Sequence, residues 1–229
     1  MPRIVRGRDH ALVRNGAVAG ATLALGRGEG LPVTDHRTSW VREVRIGGSR
    51  FFVKIYEYDT WGSRLRDLAH RTGPWARSRA AAEFDALTWI RRHGLPAPEP
   101  ILAGEARRCG FLVRAVLVTA AFAGEPVPAW LARLDPAERR ALARAVGELV
   151  GRLHRLGFRD RNLDLRNLVV HCSHGEWAIA KIDSPRHRLV PPGRPTDSLA
   201  REDWARLLPQ LEALGVAAAA CRAAGMPQP

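Results

Sequence analysis

Lysine is almost missing from this chain. Of its 36 basic residues only Lys54 and Lys181 are lysine, and the rest are arginine. Where charge alone matters, then, the chain uses arginine, and a lysine that persists marks a place that needs a compact ammonium rather than a planar fork. Cysteine is also scarce. Cys109, Cys172 and Cys221 share no close spacing, which argues against a disulfide framework and a zinc motif. Long hydrophobic runs are absent: the most apolar stretch, Phe111 to Ala123, is broken by Arg114, too short for a membrane-spanning helix. The basic start MPRIVRGRDH is not followed by an apolar signal core, so a cytoplasmic product is expected.

Acidic residues are outnumbered, 23 against 36, for a net charge of +13. A bias toward Arg and Ala with a generally basic surface is the first reading. Contact with an anionic membrane face or glycolipid is the second. Nucleic acid comes last, because there is no zinc finger, no RNP-type aromatic motif and no basic helix interleaved with aromatics. No internal repeat is present, and the only biased tract is an Ala-rich tail.

At 229 residues and 46% hydrophobic content, the chain can form one large domain or two small lobes. Residues 1–35 are hard to read; Ala17 to Leu25 suits a strand or a short helix, and Gly26 to Gly30 is turn-rich. Trp40 to Ile46 alternates as a half-buried strand does, Gly47-Gly48 signals a hairpin, and Phe51 to Tyr56 is the partner strand. Lys54 lies in the middle of FFVKIY, where it needs an anionic partner unless the strand is an edge facing water. After a polar connector, 59–75, Arg77 to His93 reads as a helix closed by Gly94. Glu83 lies one turn in, either paired with Lys54 or solvated. LPAPEP at 95–100 is an extended link, and Ile101 to Glu105 and Phe111 to Thr119 read as strands joined by a polar turn.

Ala120 to Pro128 reads as a hinge. Asp135 and Pro136 start a helix to about Leu156, with Leu142, Val146, Leu149, Val150 and Leu153 at core spacing. Gly157 ends it. A polar loop, Arg159 to Asn167, leads to the strand Leu168 to Val170, and a second strand, Trp177 to Ile182, delivers Asp183. Asn167 and Asp183 at the ends of neighbouring strands offer oxygen ligands to a hard cation such as Mg²⁺. The bland reading of the loop is an ion-paired surface segment. His154 is expected to pack or brace the loop, His171, His174 and His187 to lie at the surface or in a hairpin, and Trp177 to be core. Pro191, Pro192 and Pro195 mark an extended segment, and Asp203 to Leu214 and Val216 to Ala224 read as closing helices.

With these residues laid out, the chain resembles the lipopolysaccharide kinase family, the bacterial Kdo and heptose kinases of protein-kinase-like fold. The resemblance covers roughly residues 38–190. It rests on FFVKIY, RSRAAAEFDALTWIRRHGLPAPEPILAG, LVGRLHRLGF, LRNLVV and AKIDS, in that order and spacing. It implies an α+β fold of two lobes, 1–119 with an antiparallel sheet and one helix, and 120–229, mostly helical. The implied cofactors are ATP and Mg²⁺. Lys54 matches the strand lysine on the nucleotide phosphates, Glu83 the helix glutamate that orients it, and Asn167 and Asp183 the metal ligands. The linker backbone from Val118 through Ala120 to Phe122 would receive the adenine. The implied acceptor is a hydroxyl on an envelope glycolipid or related small molecule, at the inner membrane face.

Three departures stand out. The family's catalytic Asp lies five residues before its metal-binding Asn, and here that position is Asn162, an amide that cannot accept a proton at neutral pH. Asp160 and Asp164 flank it, and either is a candidate for a displaced base if the loop is recast, with Asp160 slightly ahead; transfer without a base, at reduced rate, is the other active reading. Second, the loop expected to cover the phosphates, Thr34 to Trp40, has no glycine, so Arg37, Thr38 and Ser39 would contribute through side chains. Third, Asp183 is followed by Ser184-Pro185 rather than an aromatic and a glycine. Asn162 also favours an alternative, a pseudokinase that binds nucleotide to fix a conformation. A kinase for aminoglycosides or choline-like compounds is a third reading, and the basic charge opposes its cationic substrates.

Overall fold

Apolar–polar alternation builds the first sheet. The computed structural model describes residues 2–7, 26, 28–46, 48–58, 76–173, 176–193 and 197–226. In it β1 (Pro2–Gly7), β2 (Leu31–His36), β3 (Ser39–Ile46), β4 (Ser49–Glu57), β5 (Pro100–Arg108) and β6 (Phe111–Ala120) form one sheet, ordered β1-β5-β6-β4-β3-β2. Trp40 pairs with Ile55, Arg42 with Val53 and Val44 with Phe51, and alternation puts all six on one face. That face joins Ile101, Leu102, Val116 and Val118 in a core where Trp40 is fully buried. Lys54, paired with Val41, and Phe52, paired with Glu43, lie on the other face. The β3–β4 hairpin closes between Ile46 and Ser49, with Gly48 at φ 81°, a left-handed position that suits glycine.

The sheet is larger than the sequence patterns suggest. β1 and β2 carry no clear alternation, and both form by pairing with distant or turn-linked strands. Thr34 to Trp40 is not an open loop: β2 and β3 pair as far as His36 and Ser39, leaving only Arg37-Thr38 in the turn. β5 and β6 also run longer, with a turn of Cys109 (φ 50°) and Gly110 (φ 83°). Expectations for 17–25, the connector 59–75, Arg27, Gly47, His174 and Pro195 lie outside the described residues.

Helix α1 (Arg79–Arg92) begins two residues later than its predicted start, where Ser78 Oγ accepts from the Ala81 N–H at 3.1 Å. It ends before Gly94 at φ 69°. Ala80, Ala81, Phe84, Leu87 and Ile90 are its buried stripe. By internal contacts the chain divides into two compact units, residues 1–88 with 98–121, and 89–97 with 122–229. The second unit thus takes in the end of α1 and the first half of the LPAPEP link, which the expected boundary at 119 and 120 leaves in the N-lobe.

In the second unit β7 (Glu125–Pro126) and α2 (Val127–Leu131) precede α3 (Pro136–Arg155). Asp135 caps α3 through the Ala137 and Glu138 N–H groups, and Glu138 returns the bond to the Asp135 N–H, a reciprocal capping box. Leu142, Val146, Leu149, Val150 and Leu153 are buried along it. β8 (Phe158–Arg159) pairs with β11 (Arg188–Leu189), while β9 (Leu168–Ser173) lies between β10 (Glu176–Lys181) and β7. Trp177 is half-buried rather than core, edge-on to Trp130 at 5.2 Å. His187 is half-buried and stacked on Phe158 rather than at the surface.

Helices α4 (Ser198–Glu212) and α5 (Ala217–Ala224) close the unit. α5 packs on α3 so tightly that a Cβ on Gly147 would come within 2.1 Å of the Ala220 carbonyl oxygen. Gly147→Ala is therefore expected to cost on the order of 1–3 kcal/mol, as overpacking against rigid backbone does. Urea unfolding checks this, with Gly28→Ala, where a Cβ meets nothing within 4 Å, as the neutral control.

Candidate functional site

Lys54 occupies the middle of β4, between β3 and β6, so it is not an edge lysine. Its Nζ donates to Glu83 Oε2 at 2.9 Å, with the side chains 19% and 6% exposed. The same oxygen accepts the Tyr56 hydroxyl at 3.0 Å. Two donors on one carboxylate oxygen hold Glu83 in place more firmly than an ion pair alone. Tyr56 is a residue that sequence reasoning missed. The available signal was the strand period, which puts residue 56 on the same face as residue 54.

The other nucleotide-binding expectations fare differently. Thr38 is exposed at the tight turn, its carbonyl accepting the Glu57 N–H at 3.0 Å, and Ser39 is half-buried at the start of β3. The Ala120 N–H donates to Glu99 O at 2.8 Å and the Ala121 N–H to Arg50 O at 2.9 Å. Val118 lies inside the sheet, paired with Val53 and Leu102. Strand pairing thus occupies the Ala120 N–H and holds Val118 within the sheet.

In the second unit the polar loop is built around a buried carboxylate that no local pattern singles out. Asp203, on α4, is fully buried and accepts from the Asp160 N–H (2.9 Å), the Arg161 N–H (2.7 Å) and His154 Nε2 (3.1 Å). Arg159 is also fully buried. Its Nε donates to the Asp197 carboxylate at 3.0 Å, and its Nη1 donates to the carbonyls of His154 and Phe158. That guanidinium holds the Asp197 carboxyl below the usual carboxylate range, and Asp197 also caps α4 through the Ala200 N–H.

Asp160 is not open to an acceptor. It is 2% exposed, and Lys181 Nζ, itself fully buried, lies 3.1 Å from its Oδ2 in an ion pair rather than a well-angled hydrogen bond. Burial raises its carboxyl above the ordinary range, against the pull of Lys181 and the Ser184 hydroxyl. The scarcity of lysine that singles out Lys54 applies equally to Lys181. Asp164 instead caps the 3-10 turn Leu165–Asn167, accepting from the Arg166 N–H and side chain. It is 24% exposed, and the Arg166 hydrogen bond holds its carboxyl below the usual range.

Asn162, Asn167 and Asp183 form a hydrogen-bonded ring. Asn162 Nδ2 donates to Asp183 O at 3.0 Å and to Asp183 Oδ2 at 2.8 Å. Asn167 Nδ2 donates to Asn162 O at 3.1 Å, and the Ile182 N–H donates to Asn167 O at 3.0 Å. Asp183 takes the left-handed conformation, φ 56°, which costs a non-glycine residue roughly 1–2 kcal/mol and needs such contacts to hold it. With Nδ2 committed to Asn162, the Asn167 amide leaves Oδ1 as its outward acceptor, and oxygen donors of this kind suit a hard divalent cation.

A six-stranded sheet with one inserted helix, followed by a mostly helical unit with short strands, makes a protein-kinase-like fold. The structure is similar to one described as WaaP in complex with acyl carrier protein, at TM-score 0.68 and 19% identity, covering 97% of this chain and 88% of that one. It is also similar to the Rio2 kinase–ADP/Mg²⁺–phosphoaspartate complex from Chaetomium thermophilum, at TM-score 0.59 and 16% identity, covering 86% and 58%. A comparison with curated protein sequences finds no match. A profile of the Lipopolysaccharide kinase (Kdo/WaaP) family matches residues 33–220, and the chain belongs to that family. It is therefore a kinase. No described helix is long and apolar enough to cross a membrane.

Proposed function

We propose that the chain is an ATP- and Mg²⁺-dependent phosphotransferase that acts on a hydroxyl of a Kdo- or heptose-bearing envelope glycolipid. The observation that carries this reading is the ring that presents Asn167 and Asp183 as oxygen ligands. When bound, the metal–nucleotide complex supplies the phosphoryl group and spreads its charge. Lys54, oriented by Glu83 and Tyr56, neutralises phosphate oxygens. Asn167 and Asp183 would hold the metal, and Thr38 and Ser39 would add hydroxyl contacts.

Asp164 is the loop carboxylate with access to solvent, and the Arg166 hydrogen bond holds its carboxyl below the usual carboxylate range. Such a group orients an acceptor hydroxyl and takes its proton only weakly, which a loose phosphoryl transition state tolerates. Asp160, withdrawn beside Lys181, supports the loop instead. The net charge of +13 fits an anionic acceptor and peripheral contact with an anionic membrane. A relative solved in complex with acyl carrier protein supports a search for a protein partner as well.

A second reading is a pseudokinase, favoured by Asn162, which spends its amide on Asp183 at the position where the family holds its base. The two readings part in one assay: thermal shift with Mg-ATP, then ATP turnover with and without Kdo- or heptose-bearing lipid. The kinase reading expects stabilisation and acceptor-dependent turnover. Stabilisation with no turnover supports the pseudokinase, and absence of both removes nucleotide binding altogether.

A further inference from the structure

We propose that Asn162 is a positioning residue that sets Asp183, so that the family's aspartate at this position would disturb the site rather than restore it. The inference rests on the reading of Asp183 as a metal ligand. It starts from the chemistry of the two acceptors in front of residue 162. One is the Asp183 carbonyl oxygen at 3.0 Å, and the other is the Asp183 carboxylate oxygen at 2.8 Å. Neither can donate. A primary amide carries two N–H groups on one nitrogen and can serve both. An ionised aspartate at 162 has no donor and would set a second carboxylate against Asp183.

The backbone of residue 162 adds a second link. Its carbonyl accepts from Asn167 Nδ2 at 3.1 Å, so Asn162 touches both residues proposed to hold the cation. Its nitrogen fixes the carboxylate of one, and its oxygen fixes the amide orientation of the other. The carboxylate missing from 162 reappears at 160, where Lys181 neutralises it at 3.1 Å. Lys181 ends the strand that leads to Asp183. The loop thus holds that strand through Asp160, and Asp183 itself through Asn162. It does so with no unpaired carboxylate beside the ligand.

The test compares wild type, Asn162→Ala and Asn162→Asp in the full chain. Without metal, the thermal midpoint is expected to fall from wild type to Asn162→Ala and further to Asn162→Asp, because alanine only removes the donors while aspartate adds repulsion. For Asn162→Ala, the Mn²⁺ dissociation constant in the presence of ADP, read by electron paramagnetic resonance, is expected to rise about fivefold, the scale of one lost hydrogen bond. The apparent KM for Mg²⁺ in turnover should rise with it, and kcat at saturating Mg²⁺ should stay within about twofold, the pattern of lost ground-state organisation. A merely structural role would lower the midpoint and leave Mn²⁺ binding alone, and that result overturns the proposal. So does an Asn162→Asp variant that is as stable as wild type and turns over ten times faster, which would mark Asn162 as a lost base. If wild type binds neither Mn²⁺ nor nucleotide, the kinase reading fails, and the order of metal-free midpoints still decides whether the amide holds Asp183.

Discussion

Lys54→Ala lowers phosphotransfer by about two to three orders of magnitude, the usual effect of removing one preorganised group that meets developing charge. The ammonium is held 2.9 Å from Glu83 Oε2 inside the sheet, so it does not have to reorganise to meet a phosphate. Lys54→Arg does not rescue it, because a planar fork cannot take the place of a point charge against Glu83. The fold largely survives, since Tyr56 still donates to Glu83. The destabilisation is then about 1–3 kcal/mol, the cost of a buried acceptor that loses one of its partners. Single-turnover kinetics and thermal shift on the same preparation separate the two effects. A Lys54→Ala protein that keeps wild-type turnover would remove Lys54 from the chemistry.

Asp203→Ala is the largest stability change expected in the second unit. Asp203 is fully buried, and its carboxylate is the common acceptor for two successive backbone N–H groups and the His154 ring. Alanine leaves all three donors unpaired in the core, for a loss of about 3–5 kcal/mol, typical of breaking a buried charged network by removing one partner. Asp203→Asn keeps the shape and one acceptor oxygen, so its cost is about 1–3 kcal/mol. Urea unfolding followed by circular dichroism gives the order wild type, Asn, Ala. Equal stability of wild type and Asp203→Ala would mean that the loop from Arg159 to Asn162 holds its shape by other contacts.

Local patterns carried much of the fold and about half of the candidate site. The period of two along Trp40–Ile46 and Phe51–Tyr56 foretold the β3–β4 hairpin, and the cap at Asp135 with Pro136 foretold α3 and its buried face. The rarity of lysine pointed to Lys54 before any partner was known. These signals lie within a dozen residues of what they determine, because strand alternation, helix periodicity and end-capping are properties of short stretches. Asp160 and Asp164 are candidates for a displaced base, Asp160 slightly ahead, because both flank the position where the family holds its aspartate.

What only the tertiary structure decided are the partners of polar groups far apart in the chain. Asp203 reaches back 43 residues to the Asp160 N–H, Asn162 reaches forward 21 residues to Asp183, and Glu83 and Tyr56 are 27 apart. β1 likewise exists because β5 pairs with it. A polar side chain of any type satisfies the same local pattern whether it ends in water or in the core, and which of these happens depends on what the rest of the chain brings to it. Asp160 was thus legible as a carboxylate, and only the tertiary structure decided its burial against Lys181.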